Sequence, residues 1–215
     1  TSMFQANYPA VMILKKSLML FMLIACCPVL HAKADLTASA KDKVKTVFKD
    51  VQTDSNTDFL MTTTEQSISD LNNDEAMVLP ANTQITEFYG KEIQNDGQKY
   101  LITLWNAQDQ NDESPGGGAA ILAVFSDQGD KPLDIYNVKT DVSASISEQA
   151  TPVLGKNDTF VINNSHFNAG ESYLDSSLFQ VFNDKLQKID SIFTFSAQGL
   201  CESFSETLSW KTAKQ

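Results

Sequence analysis

Arginine is absent from this chain of 215 residues, and all 16 of its basic residues are lysine. Without a guanidinium group the protein has no planar, bidentate clamp for phosphate or carboxylate. The 27 acidic residues give a formal net charge of -11. Because nucleic-acid binding needs a positive field that releases counterions, this charge argues against a nucleic-acid partner. The charge favours a partner that is a basic or neutral protein or glycan.

The N-terminal region has the pattern of a secretory signal. Lys15 and Lys16 precede an uncharged run at residues 17–30, which is too short to cross about 30 Å of hydrocarbon. An Ala-Lys-Ala sequence that ends at Ala34 offers a small-x-small cleavage site. We therefore expect residues 1–34 to be removed. The mature chain is expected to be periplasmic or extracellular, with no membrane span.

A second processing site competes with the one at Ala34. The sequence Leu-Ile-Ala-Cys at residues 23–26 resembles the bacterial lipobox, in which the cysteine is lipidated and becomes the first residue. Cleavage before Cys26 would leave the protein lipid-anchored in the envelope. The sequence stays apolar as far as Leu30, whereas a lipoprotein usually continues with a polar tether. Cleavage after Ala34 is therefore favoured.

Histidine and cysteine are scarce, and processing would make them scarcer. Removing residues 1–34 takes away three lysines and no acid, so the net charge of -11 becomes -14. The mature chain would keep one cysteine, Cys201, and one histidine, His166. A single thiol excludes an internal disulfide, and we expect Cys201 to be buried in a strand, with pairing between chains as the alternative. Any mechanism that needs a histidine must use His166.

Apolar residues at helical spacing predict one amphipathic helix at residues 39–51. Five of them fall on one face: Ala40, Val44, Val47, Phe48 and Val51. Lysines cover the other face, and Ser39 with Asp42 three residues later resembles a capping box. Residues 52–75 are rich in Thr, Ser, Asn and Asp and are predicted to form a loop.

From residue 76 onward the apolar residues follow the period of β-strands. Asp96-Gly97 separates two apolar-rich segments, Thr83–Ile93 and Gln98–Trp105, which is a strong hairpin signal. Further strands are predicted at Ala120–Phe125, Leu133–Thr140, Ser143–Leu154, Thr159–Asn163, Ser177–Phe182, Leu186–Phe195 and Cys201–Trp210. The short connections exclude the long crossovers that parallel pairing needs, so we expect antiparallel sheets.

Two stretches of the β region are similar to each other. Ala123–Asp127 matches Gln180–Asp184, and Tyr100–Ile102 matches Phe160–Ile162. Such units bury their apolar faces only by packing together. We predict a mainly β protein in which two similar four-strand units form a sandwich, a barrel or propeller-like blades, with one N-terminal amphipathic helix. The expected organisation is a leader (1–34), a helix with a polar loop (35–75) and an all-β domain (76–215).

A polar segment between two predicted strands, residues 163–173, is the candidate ligand site. Its predicted ligand-binding residues are Asn164, His166, Phe167, Asn168, Glu171 and Tyr173. Rings supply stacking area, while amides and imidazole supply directional hydrogen bonds. The corresponding segment of the first unit, residues 106–118, is expected to lie at the same end of the sheet. The alternative is a purely structural loop that its own Asn and Ser side chains cap.

Two acidic segments have the spacing of calcium ligands, but neither is complete. Residues 54–65 place Asp and Asn at EF-hand ligand positions, although Phe59 stands where glycine is needed. Residues 70–75 contain Asp-x-Asn-x-Asp without the following glycine and resemble the calcium loop of FG-GAP-type repeats over five residues only. One histidine and one cysteine do not make a usual zinc site. We therefore expect no metal and no cofactor.

These features favour an exported bacterial protein that acts by binding, with no catalytic residue. A competing hypothesis is a secreted hydrolase that uses His166 or a carboxylate pair. No Gly-x-Ser-x-Gly motif supports a Ser-His-acid triad, and with 27 acids the sequence singles out no pair. The protein could also be an inhibitor of a cationic cell-wall hydrolase, a hypothesis that rests on charge alone, or a structural component of the envelope.

Overall fold

The computed structural model describes residues 27–53, 60–112, 117–149, 153–168, 171–198 and 203–205. In this part of the chain one helix, α1 (Cys27–Val47), precedes thirteen strands. The strands are β1 (Val51–Thr53), β2 (Leu60–Thr62), β3 (Gln66–Ile68), β4 (Met77–Leu79), β5 (Thr83–Asn95), β6 (Gln98–Asp109), β7 (Ala119–Ser126), β8 (Asp134–Asn137), β9 (Ser143–Ile146), β10 (Phe160–Asn168), β11 (Glu171–Phe182), β12 (Lys185–Gln198) and β13 (Ser203–Ser205).

The strands form two large antiparallel sheets and one short ribbon. The first sheet has the order β1-β2-β5-β6-β7-β8, and the second has the order β13-β12-β11-β10-β9. Strands β3 and β4 pair with each other. The predicted class, a mainly β protein with antiparallel sheets and one N-terminal helix, is confirmed.

Helix α1, the first sheet and the second sheet form three layers. The core between the two sheets includes Ile102, Leu104, Leu122, Phe160, Ile162 and Phe179. The core between the first sheet and α1 includes Val44, Phe48, Ile85, Trp105, Ile121 and Phe125. Because both faces of the first sheet are covered, β7 is a continuous apolar run whose side chains enter the two cores alternately. Of the three packings that the sequence left open, the described chain adopts the sandwich.

Both ends of α1 differ from the predicted range of 39–51. The described helix extends from Cys27, and no glycine or proline interrupts its sequence after Pro28. It ends at Val47, and Asp50, with a φ of 49°, turns the chain away. Within the described ranges no helix carries an apolar stretch of the length that a membrane crossing requires.

Helix α1 packs closely on β5 at Gly90. A Cβ atom at this position would lie 2.4 Å from the carbonyl oxygen of Leu36. Trp105 donates from Nε1 to the carbonyl oxygen of Ala40 over 3.1 Å, and its ring meets Phe48 edge-to-face with centroids 5.6 Å apart. The helix is therefore seated on the first sheet by backbone contact and by a buried ring as well as by its apolar face.

The segment predicted to be a loop, residues 52–75, instead contains strands. β1 pairs with β2, β2 pairs with β5 of the first sheet, and β3 pairs with β4. Thr62 and Ile68 are buried in these strands. Polar residues form strands here because neighbouring strands supply the hydrogen bonds, so tertiary context overrides strand propensity.

The predicted hairpin turn at Asp96-Gly97 is confirmed. Asn95 pairs with Gln98, and both turn residues have positive φ, as a type I′ turn requires. A second turn of this kind, Asn183-Asp184, joins β11 to β12 without a glycine. Asparagine and aspartate tolerate the left-handed region better than other side chains do, so this turn forms without glycine.

Each sheet contains a four-strand meander, β5–β8 in the first and β9–β12 in the second. The matched segments Tyr100–Ile102 and Phe160–Ile162 lie on the second strand of each meander, and both enter the core between the sheets. In the predicted division of Gln98–Trp210 into two four-strand units, the strand at Ser143–Leu154 was the last of the first unit, whereas β9 belongs to the second sheet. The chain crosses between layers at residues 138–142, so β9 pairs with β10 rather than with β8.

Candidate functional site

The segment predicted to be a ligand-binding loop, residues 163–173, is a pair of strands. β10 continues to Asn168 and β11 begins at Glu171, with Asn168 opposite Glu171 and His166 opposite Tyr173. Serine and asparagine have low strand propensity, but β10 pairs with β11 along its whole length and with β9 from Ile162 to Ser165, and this ladder pairing offsets the low propensity. The expectation of a loop is therefore wrong.

Strand alternation separates the predicted ligand-binding residues onto two faces. Asn164 and His166 follow Ile162 at a spacing of two residues, and Ile162 lies in the core between the sheets. Tyr173 shares this face because it pairs with His166. Phe167 lies on the opposite face and is 73% exposed. Phe167 therefore does not belong to the same site as His166.

Asn164 has a structural role. Its side chain is 1% exposed, accepts a hydrogen bond from the N–H of Thr140 over 3.0 Å and donates to the carbonyl oxygen of Val138 over 3.4 Å. Both partners lie in the connection at residues 138–142. Because buried backbone groups need partners, Asn164 holds this connection against β10.

A second buried asparagine, Asn137, holds the same connection from the first sheet. Its Oδ1 accepts hydrogen bonds from the N–H groups of Ala120 and Lys139, over 3.0 and 3.3 Å. Its Nδ2 donates to the carboxylate of Asp70 over 2.7 Å. The crossing between the layers is thus fixed at both of its ends.

The acidic segment at residues 70–75 also contributes to this framework. Besides the bond to Asn137, the carboxylate of Asp70 accepts hydrogen bonds from the N–H groups of Asn72 and Asn73, over 2.8 and 3.2 Å. Among the described residues, no three His, Cys, Asp or Glu side chains are grouped as metal ligands. Residues 54–59, the first half of the other predicted calcium segment, lie outside the described ranges, as do Cys26 and Cys201.

The connection at residues 138–142 borders a cleft of about 460 Å³. The cleft is lined by side chains that include Met77, Lys139, Asp141, Val142 and His166, and by Gly118. Gly118 comes from the segment 106–118 and His166 from the segment 163–173. One residue of each segment thus lines the same cleft.

A hydrogen bond between His166 and Asp141 orients the imidazole at this cleft. Nδ1 lies 2.9 Å from Oδ1 of Asp141, and the two side chains are 31% and 33% exposed. The same carboxylate oxygen accepts from the N–H of Val142 over 2.8 Å. The described residues offer no hydrogen-bond partner for Nε2. A carboxylate on Nδ1 leaves Nε2 for a ligand or a proton, as in catalytic and ligand-binding histidines.

Lys139 places a positively charged side chain on the wall of the same cleft. Its Nζ donates to the carbonyl oxygen of Gly117. Burial lowers the pKa of Lys139, and the negative charges of Asp112 and Asp141 oppose that shift. The ammonium group is thus partly stripped of water at a position on the wall of the cleft.

Four rings on the core-facing side of the second sheet form what we call the aromatic strip: His166, Tyr173, Phe193 and Phe195. The centroid of Tyr173 lies 6.0 Å from that of His166, 5.8 Å from that of Phe193 and 5.1 Å from that of Phe195. Phe193 is 61% exposed. The strip therefore begins at the cleft and ends at an exposed ring.

Carboxylates border the aromatic strip. Glu171 accepts a hydrogen bond from the hydroxyl of Tyr173 over 2.5 Å, and this bond raises the pKa of Tyr173. Asp175 pairs with Phe193 across the sheet and accepts from the hydroxyl of Thr140 over 3.0 Å. With Asp141 at His166, three acids surround the rings on this face.

Ser165 is not a nucleophile for His166. It lies on the opposite face of β10, where its hydroxyl is 2.9 Å from that of Ser143 on β9. A Ser-His-Asp arrangement needs the hydroxyl within hydrogen-bond reach of the imidazole. Ser165 therefore does not complete a triad with Asp141 and His166.

No protein-family model, curated protein or solved structure matches the chain. The geometry of the cleft and of the aromatic strip is thus what bears on function. Three of the residues that define them, Lys139, Asp141 and Phe193, were not singled out in the sequence. The signal for Phe193 was its spacing of two residues from Phe195, which places both rings on one face of a strand.

Proposed function

We propose that the protein is an exported, non-enzymatic binding module whose aromatic strip contacts a cationic polypeptide. The observation that carries this proposal is the 61% exposure of Phe193 in a row of contacting rings. Large apolar side chains left open together in a folded chain are typical of interaction sites. Rings also give binding area at a low entropic cost.

The charge of the molecule favours a cationic partner over a neutral glycan. Glu171, Asp175 and Asp141 border the strip, and the whole chain carries -11. Lysine and arginine side chains bind both carboxylates and the faces of aromatic rings. Long-range attraction between opposite charges also raises the rate of encounter. A cationic cell-wall hydrolase inhibited through this face is one partner of this chemistry.

Export is proposed from the N-terminal sequence, in which two lysines and an uncharged run precede the Ala-Lys-Ala site. Cleavage after Ala34 would leave Leu36, which packs on Gly90, in the mature chain. It would remove the first eight residues of α1, Cys27 to Ala34.

A secreted hydrolase is the second candidate, and the bond between Asp141 and His166 favours it. A water molecule activated by Nε2 would be the nucleophile, because Ser165 lies on the other face. This alternative makes His166 essential for turnover of an ester or amide. Replacing His166 by Gln would then abolish activity, whereas Phe193→Ala would leave it nearly unchanged.

The binding proposal is tested with the mature chain and two defined peptides. A lysine-rich peptide that contains one tyrosine is expected to bind, and the matched glutamate-rich peptide is not. The affinity for the basic peptide should fall as ionic strength rises, because exposed charges are screened beyond about 10 Å at 0.1 M salt. Fluorescence anisotropy of labelled peptides measures both effects.

Phe193→Ala and Phe167→Ala are a matched pair of variants for this test. Both rings are highly exposed, at 61% and 73%, but they lie on opposite faces of the second sheet. We expect Phe193→Ala to weaken peptide binding about tenfold and Phe167→Ala to leave it within about twofold. Equal loss in both variants, or binding of the acidic peptide, would contradict the assignment of the strip.

A further inference from the structure

One edge of β12 is paired over only a small part of its length. β12 pairs with β11 along one edge, whereas on the other edge β13 pairs with it only at Ser196–Gln198. Between Asp190 and Thr194 no described strand pairs with this second edge, and we call that stretch the open edge. Phe193 lies within it and is 61% exposed. An open edge presents backbone groups with which a further strand can pair.

The chain leaves β13 in the direction of the open edge. β13 runs antiparallel to β12, with Ser205 opposite Ser196. Residues 206–215 follow in the sequence and lie outside the described ranges. Continuing the register of β13 would place Thr207 opposite Thr194. Because β13 already begins the ladder, this continuation requires no new loop closure.

The sequence after β13 has the alternation that a strand at the open edge requires. Leu208 and Trp210 are apolar, and the residues between and before them carry hydroxyl groups, namely Ser205, Thr207 and Ser209, with Glu206 as the one interruption. The continued register would place Leu208 opposite Phe193. Residues that pair directly lie on one face of a sheet, so the apolar positions fall on the face of the aromatic strip. A shift by one residue would bring the hydroxyl groups there instead.

The same register also brings together two opposite charges. Lys211 would stand opposite Asp190 at the end of the open edge. Asp190 is exposed, and its carboxylate accepts a hydrogen bond from the N–H of Ser191 over 2.8 Å. Opposite charges directly across a strand pair stabilise it. One register therefore satisfies both the apolar pattern and the charge pattern of the segment.

We propose that residues 206–210 continue β13 along the open edge of β12, and that Leu208 and Trp210 extend the aromatic strip. Trp210 then adds a fifth ring to the strip. Its role in binding rests on the proposed function, because indole binds lysine and arginine side chains more strongly than other rings do. The docking of the segment on β12 does not depend on any partner.

A disulfide between Thr194→Cys and Thr207→Cys tests the docking. Directly opposite residues of an antiparallel pair have Cα atoms about 4.5–5.5 Å apart, which is within the reach of a disulfide. The two positions face away from the strip, so the substitutions leave its rings in place. The protein used is the mature chain with Cys201→Ser, which removes its one other thiol.

The matched control is Thr194→Cys with Ser209→Cys. This pair is diagonal in the proposed register, with a separation of about 7–8 Å that a disulfide does not bridge without movement of the backbone. We expect glutathione disulfide to cross-link the directly opposite pair within one chain at least about tenfold faster than the diagonal pair. Non-reducing electrophoresis and mass spectrometry of the linked peptides measure both rates.

Three outcomes would overturn the docking. These are equal rates for the two pairs, no cross-link in either pair, and a cross-link between chains, which would assign the open edge to a second copy. Should the cysteine variants fail to fold, nuclear Overhauser contacts between Phe193 and Leu208 in the unaltered mature chain decide. Their presence supports the docking, and their absence overturns it.

The contribution of Trp210 to binding is measured with the lysine-rich peptide. Trp210→Ala should weaken binding about fivefold, whereas Ser209→Ala, on the other face, should leave it within about twofold. Equal affinities for the two variants would exclude Trp210 from the strip. If the peptide does not bind the unaltered protein, the proposed function fails, and the cross-link still decides whether the segment docks.

Discussion

Replacing Gly90 by alanine tests whether α1 is seated on the first sheet as the structure has it. The new Cβ would lie 2.4 Å from the carbonyl oxygen of Leu36, 2.9 Å from its carbonyl carbon and 3.2 Å from its Cβ. Two of these three atoms belong to the helix backbone, so no side-chain rotation relieves the clash. Helix α1 must move away from β5 by nearly 1 Å to reach ordinary contact.

Two opposing effects determine how much Gly90→Ala changes the free energy of unfolding. Overpacking a tight contact costs about 1–3 kcal/mol. Alanine recovers about 0.5–1 kcal/mol, because it restricts the unfolded chain more than glycine does. We therefore expect Gly90→Ala to lower the free energy of unfolding by about 1–2 kcal/mol. Urea denaturation of the mature chain, beginning at Asp35, measures the loss as a shift of the midpoint at constant m.

Two controls make the reasoning refutable. Glu92→Ala changes an exposed residue on the same strand and should alter stability by no more than about 0.5 kcal/mol. In a chain that begins at Ala38, Leu36 is gone, so Gly90→Ala should become neutral or stabilising. If Gly90→Ala is as stable as the parent in the longer chain, the helix does not approach β5 at this position.

Three further predictions concern buried groups. Asn164→Ala should cost about 1–3 kcal/mol, because it leaves buried backbone groups without partners, and thermal denaturation compared with Phe167→Ala should show it. Trp105→Phe should cost about 1–3 kcal/mol by removing the indole bond to the helix and leaving a cavity, and a smaller loss in urea denaturation would contradict the packing of that ring. Burial and the hydrogen bond to Asp184 raise the pKa of Tyr100 to about 12. The neutral phenol therefore stabilises the folded state below pH 10. This contribution to the free energy of unfolding is lost as the pH rises from about 10 to 12. Tyr100→Phe should remove that part of the alkaline loss of stability, and identical pH profiles for the two proteins would show that the phenol is not coupled to folding.

Much of the β architecture was accessible from local patterns. The turn at Asp96-Gly97 was predicted because its residues tolerate positive φ between two strands. The apolar face of α1 was predicted from its spacing, and Ala40, Val44, Val47 and Phe48 are all buried. Antiparallel pairing followed from the short connections. Each of these inferences depends on residues that are neighbours in the sequence.

The candidate site was predicted only in part. Because histidine is scarce in the sequence, His166 was singled out, and its side chain does line the cleft. The structure separates the residues that were grouped with it, because Asn164 is buried and bonded to the connection at residues 138–142, whereas Phe167 lies on the other face of the sheet. The polar composition of the segment had suggested a loop, whereas cross-strand pairing with β9 and β11 made it a strand with two faces.

The sequence alone thus determined the periods of the elements, the sharp turns and the absence of arginine, because backbone preference and charge are local properties. The tertiary structure decided which strands and which side chains lie next to each other. It assigned β9 to the second sheet, brought Asp141 to within 2.9 Å of His166 over 25 residues of chain and left Phe193 uncovered. Those outcomes depend on which apolar faces bury each other, and that competition involves segments from the whole chain.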